Sequence, residues 1–163
     1  MNKIPEKNSA QDGQSVMEIV IALAIFVMFS ASTAALILGG FSLLERGEEF
    51  TIAAALAREG VEATRSVRDR DWEEFAYSRS AVAVSGGQWA LSGEGTTETI
   101  GDFVRVIDFY PVYRDGSGNI AAADDPGASL DASSVKVTVG IFWETGQGIN
   151  ESVERTTYLT DWR

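Results

Sequence analysis

Residues 13–44, GQSVMEIVIALAIFVMFSASTAALILGGFSLL, decide the fold. From Ile19 to Leu44 there are 26 consecutive residues without a formal charge. At 1.5 Å per residue that run makes a helix of roughly 39 Å, enough to cross a bilayer with some tilt. Glu18 stands just inside the start of the run. A carboxylate is expensive in lipid, so it must stay near the interface or find a partner. A cleaved secretory peptide would have a hydrophobic part of only about 7–15 residues with its cut after it. This run is much longer, which leaves a retained anchor.

Outward from that run, the flanks set an orientation. Lys3 and Lys7 precede it, diluted by Glu6 and Asp12, and Glu45, Glu48 and Glu49 follow. The bias favours a cytoplasmic N-terminus. Residues 1–12 are polar and without period. Ser30, Ser32 and Thr33 have hydroxyls that can return to the backbone or meet another helix, and Gly39-Gly40 is the weakest helical point. Past the run, Phe50, Ala53, Ala54, Leu56, Ala57, Val61, Thr64 and Val67 keep spacings of three and four, a single apolar stripe. No proline interrupts, so residues 16–70 are predicted as one helix of roughly 80 Å. Arg58 with Glu62 and Arg65 with Asp69 are placed for ion pairs four residues apart.

The remainder reads as strands. Val82 and Val84 alternate, Gly86-Gly87 turns, and Trp89 and Leu91 return, predicting a hairpin. Residues 93–100 read as a polar loop. Residues 102–114 alternate Phe103, Arg105, Ile107 and Phe109 against Val104, Val106, Asp108 and Tyr110, with Pro111 marking an edge or a late bulge. Residues 115–134 read as a long loop. The clearest strand is 134–143, with Val135, Val137, Val139, Ile141 and Trp143 on one face. Residues 152–160 form the last strand, which Trp162 is expected to pin in the sheet or else to offer to a subunit contact. The expected fold is α+β: a long N-terminal helix laid on a C-terminal antiparallel sheet of three to five strands.

Composition narrows function. The chain has 24 acidic against 13 basic residues, a net charge of −11, which argues against nucleic acid or an anionic lipid surface as the soluble part's partner. It has no cysteine, so no disulfide. It has no histidine, which removes the commonest acid–base residue and metal ligand. With no GxSxG elbow either, the chain is read as a non-enzyme without a cofactor. The acidic run Asp69, Asp71, Glu73 and Glu74 is read as a solvated helix end. Asp115, Ser117 and Asn119 offer oxygens at alternate positions as a calcium loop does, with Asp124 and Asp125 as further ligands. Ile120 and Pro126 depart from that pattern, so a turn is the first reading and calcium the second.

The string from Gly13 to Glu18, followed at once by the apolar helix, resembles the prepilin signal of type IV pilins and of type II secretion pseudopilins. Residues 56–72 and 152–163 are similar to minor members of that group. The resemblance implies a pilin-like fold and a cut by prepilin peptidase between Gly13 and Gln14. It also implies methylation of the new terminus at Gln14, and a role for Glu18 in subunit assembly. The implied domains are a leader, 1–13; a transmembrane and polymerisation helix, 14–44; and an extracytoplasmic domain, 45–163, with helix over 45–71 and strands over 80–163. The implied partners are other pilins or pseudopilins, the peptidase, an inner-membrane assembly platform and lipid. The implied location is a single pass through the inner membrane, then a filament. Calcium loops occur in the major pseudopilins. The other reading is a signal-anchored binding or adhesion domain that never polymerises.

Overall fold

The computed structural model describes residues 9–146 and 148–162, with side chains from Val16 onward. The chain comprises two compact units, Met1–Arg46 and Gly47–Arg163. Helix α1 (Ser9–Arg70) has no interruption in its secondary structure, Gly39-Gly40 included. In the first unit Ser32 Oγ donates to Met28 O and Thr33 Oγ1 to Phe29 O, each at 2.9 Å. These hydroxyls satisfy themselves on their own helix and leave its surface apolar.

In the second unit α1 is followed by a 3-10 turn (Trp72–Ala76), a hairpin of β1 (Val82–Ser85) and β2 (Gln88–Leu91), and then β3 (Glu98–Ile100), β4 (Phe103–Arg114), β5 (Ile120–Ala121), β6 (Ser129–Glu144) and β7 (Asn150–Thr160). The main sheet is antiparallel in the order β3-β4-β6-β7, with β5 also on β4. The helix buries Ala53, Ala57, Val61, Ala63, Thr64 and Val67. Against this face of small side chains the sheet sets its bulk, chiefly Phe103, Ile107, Val137, Val139, Ile141 and Trp143. Small on one side and large on the other lets the two elements close to interior density.

Gly60 marks the closest approach. A Cβ there would lie 2.8 Å from Val139 Cγ1 and 3.2 Å from Arg105 Cδ. On the other face of β6 a Cβ at Gly140 would meet the ring of Phe142 at 2.8 Å. An aromatic ring folded over a strand glycine covers backbone that would otherwise lie bare.

Where the structure departs from the sequence reading, the reasons are local. Residues 98–100, expected in a loop, form β3, with Glu98 opposite Arg105 on β4. The expected long loop is broken by β5, and β6 starts at Ser129. Val112 faces Asp131 while its neighbour Pro111 faces Val135, so the shift falls at the proline. Proline has no N–H for the ladder, which explains the bulge there. Asp131 Oδ1 holds the bulged segment by accepting from Ser133 N at 3.0 Å and Ser133 Oγ at 2.6 Å. The expected helix pairs are replaced by others. Arg65 bonds Glu62 at 2.8 Å and Arg68 bonds Asp69 at 2.7 Å. Trp162 is 68 % exposed and does not pin β7.

Candidate functional site

The sequence points first to the N-terminal part of α1. Its seventeen large apolar side chains between Val16 and Leu44 are all more than half exposed, from 53 % at Ile21 to 77 % at Leu36. Taking such a side chain out of water yields about 1.5–3 kcal/mol, so together they represent roughly 25–50 kcal/mol. That exceeds the whole stability of a typical domain, and water is not a tenable surrounding. The helix is long and apolar enough to cross a membrane. Apolar all round, it needs lipid or other helices on every side.

Glu18 is exposed on this surface and, among the described residues, makes no ion pair or hydrogen bond. Gly13 and Gln14 fall within the helical span of α1, and their side chains lie outside the described residues.

In the second unit the charged groups serve the fold. Arg105, 1 % exposed, projects from β4 into the helix–sheet layer. Its Nε and Nη2 donate to Glu98 Oε2 at 3.0 and 2.6 Å, and its Nη1 to Leu56 O at 3.1 Å and Glu59 Oε1 at 3.3 Å. A guanidinium can be buried when its donors are so occupied. Gly60 leaves the space through which this side chain reaches the helix carbonyl. Trp143 Nε1 donates to Glu49 Oε2 at 3.2 Å, and the ring meets Phe50 edge-on at 5.1 Å. The sequence showed Arg105 in phase with an apolar face. No local pattern shows the partners such a residue demands, here a carboxylate on the neighbouring strand and a glycine on the helix opposite it.

The acidic helix end resolves into structural contacts. Asp71 caps the 3-10 turn, accepting from Glu73 N at 3.0 Å, and Arg70 bonds Glu74 at 2.6 Å. Asp115, Ser117 and Asn119 form a closed turn. Asp115 Oδ1 accepts from Ser117 N and Asn119 N at 2.8 and 2.9 Å, and its Oδ2 from Asn119 Nδ2 at 3.0 Å. Those bonds, that of the Asn119 side chain foremost, hold the Asp115 carboxyl below its usual range. Asp125 Oδ2 accepts from Ala122 N at 2.8 Å in the next turn, where Asp124 is exposed. Among the described residues no three acidic side chains converge as a metal site. A recess of about 500 Å³ is lined by Trp72, Phe75, Tyr77, Tyr110 and Asp131 among others. Arg114 Nε at 2.6 Å, then Ser133 and Ser134, keep the Asp131 carboxyl far below the ordinary range. That is the opposite of what a general acid needs at neutral pH.

A long N-terminal helix, bare and apolar at first and then packed on an antiparallel sheet, decides the architecture. The fold is pilin-like. Comparison with protein families, with characterised proteins and with solved structures returns no match. The pilin-like fold therefore stands on the geometry alone.

Proposed function

We propose that this chain is a minor pilin or pseudopilin, a structural and non-catalytic subunit of a filament of the type IV pilus or type II secretion kind. The observation that carries the reading is the exposed apolar half of α1, continuous in one helix with the half that packs on the sheet. In lipid this half is solvated by acyl chains. In a filament, other copies of the same helix replace them. The reading also gives the isolated Glu18 a purpose. Prepilin peptidase cuts between Gly13 and Gln14 on the cytoplasmic side, and the new amine at Gln14, once methylated, lies four residues from Glu18. The amine of one subunit then meets the Glu18 carboxylate of its neighbour. Paired charges offset the desolvation that either would suffer alone when the helix leaves lipid.

Intact-mass analysis of the protein purified from its own host tests the processing. The expected species begins at Gln14 and carries one extra methyl group. A species still beginning at Met1 in cells with active peptidase, or one beginning beyond Leu44, refutes it in favour of a signal anchor or a secreted domain. The pairing has a separate test. Glu18→Ala should insert into the membrane normally yet be depleted from sheared filaments, and equal filament yield would remove the pairing argument.

A further inference from the structure

Most arginines of the second unit are matched to a carboxylate: Arg65, Arg68, Arg70, Arg79, Arg105 and Arg114 all have an acidic partner within 4.0 Å. Arg58 and Arg155 are exceptions among the described residues, with neither an ion pair nor a side-chain hydrogen bond. In a chain of net charge −11, two unmatched cations side by side are unexpected. They line the same groove, which runs between the exposed flank of α1 and β7. The carboxylates that α1 brings there are already engaged, Glu62 by Arg65 at 2.8 Å and Glu59 by Arg105 at 3.3 Å. Arg155 is opposite Val139 in the ladder and so belongs to the helix-facing side of β7; Glu154, opposite Gly140, alternates to the other side of the strand but also lines the groove, where it makes no ion pair with either arginine.

A second observation concerns the same place. β7 is eleven residues long and ends the sheet, paired to β6 on one side only. An edge strand presents a row of unpaired N–H and C=O groups, a template for another extended chain.

We infer that this groove receives an extended acidic segment of a partner protein. The segment adds to the free edge of β7 as a further strand and places alternate carboxylates against Arg58 and Arg155. The backbone ladder supplies the attachment, and the two guanidiniums supply the choice of an acidic sequence over a neutral one. Arg58 on the helix and Arg155 on the strand receive carboxylates from two directions, which also sets which face of the segment turns inward. The inference depends on neither membrane insertion nor polymerisation, so it can fail without affecting the filament reading.

The test uses the full chain in lipid nanodiscs with two blocked hexapeptides, one alternating threonine with glutamate and one alternating threonine with glutamine. Calorimetry at low salt should show the glutamate peptide binding about tenfold more tightly, the effect of two partly exposed ion pairs. The advantage should shrink at high salt as the charges are screened. Amide hydrogen exchange should slow at the outward N–H groups of β7. Replacing both Arg58→Gln and Arg155→Gln should abolish the tenfold preference while leaving the glutamine peptide's affinity unchanged. The double variant Arg58→Glu with Arg155→Glu should transfer the preference to a threonine–lysine peptide. Equal binding of the glutamate and glutamine peptides, a preference that survives in the glutamine double variant, exchange protection away from β7, or no binding at millimolar peptide would each overturn the inference.

Discussion

Replacing Gly60 by alanine tests whether the helix–sheet contact is as tight as its geometry says. In an exposed helix the change adds about 1 kcal/mol of stability, because glycine is the more flexible residue. Here the new Cβ would sit 2.8 Å from Val139 Cγ1, and 3.2 Å from the Cδ of Arg105. Ordinary contact begins near 3.4 Å, so something must move by about half an ångström. Val139 is fully buried, and Arg105 is held by Glu98 and by Leu56 O. Neither yields freely. Overpacking of this kind costs about 1–3 kcal/mol, and loosening the bond to Leu56 O adds about 1 kcal/mol. After the helix gain is subtracted, Gly60→Ala should destabilise the second unit by about 1–3 kcal/mol, lowering its melting temperature by roughly 5–10 °C. Gly47→Ala is the matched control, since nothing lies within 4 Å of its Cβ position. It should be neutral or raise stability by up to about 1 kcal/mol. Both are read from thermal unfolding of the full chain in micelles, followed by near-ultraviolet circular dichroism. A Gly60→Ala protein as stable as the parent, or more so, would refute the close approach and the path it gives Arg105.

Other perturbations separate the remaining arguments. Arg105→Ala should cost about 3 kcal/mol in urea unfolding, since it opens a cavity and leaves Glu98 unpaired. Arg105→Lys keeps the charge but lacks the guanidinium fork, and should lose about 1–2 kcal/mol on the same assay. Asp131, Glu94 and Asp115 all have carboxyls held below their usual values, by Arg114, Ser78 and Asn119 foremost. A lowered folded pKa means stability that is present above the unfolded value, near 4, and lost as pH falls through the folded one. Stability should therefore decline below about pH 4, and Asp131→Asn should be less stable at neutral pH yet show a shallower acid decline. A bulky residue in place of Gly13 should block the peptidase and leave a chain that begins at Met1, seen in its intact mass.

From Val16 onward the helix was legible because two signals agreed, an unbroken apolar run and then a stripe at spacings of three and four; its first turns, which begin at Ser9 and not at the expected residue 16, lie in a polar stretch that carries neither signal. β4 and the later part of β6, from Ser134, were legible from alternation, and β7 as the return that follows the turn after β6. β3 was not, because Glu98-Thr99-Ile100 carries one apolar residue and owes its place to the pairing of Glu98 with Arg105. The start of β6 was hidden by Asp131, Ala132 and Ser133, polar or small residues that read as loop until the bulge opposite Pro111 gives them a purpose. Arg58 was expected to pair with Glu62, but Arg65 takes that carboxylate from the other side. The groove itself could not be read, because it depends on β7 being the edge of the sheet, and strand order follows from no local pattern. At the other end of the chain, Glu18 stands out by its position at the start of an apolar run, and no described side chain pairs with it.

The smooth face that α1 presents to the sheet also has a mechanical consequence. Apart from Val61 and Val67, and from Val139 seated at Gly60, its alanines, glycine and threonine offer little to catch on, so the packing resists separation better than it resists sliding along the helix axis. The register against an axial pull is kept by two polar catches, Arg105 on Leu56 O and Glu59, and Trp143 on Glu49. They sit about two turns apart on the helix, so a shear of even one residue must break both together. A tension drawn along α1 is thus borne by a latch of a few hydrogen bonds, while the hydrophobic layer acts as the bearing on which it would slip.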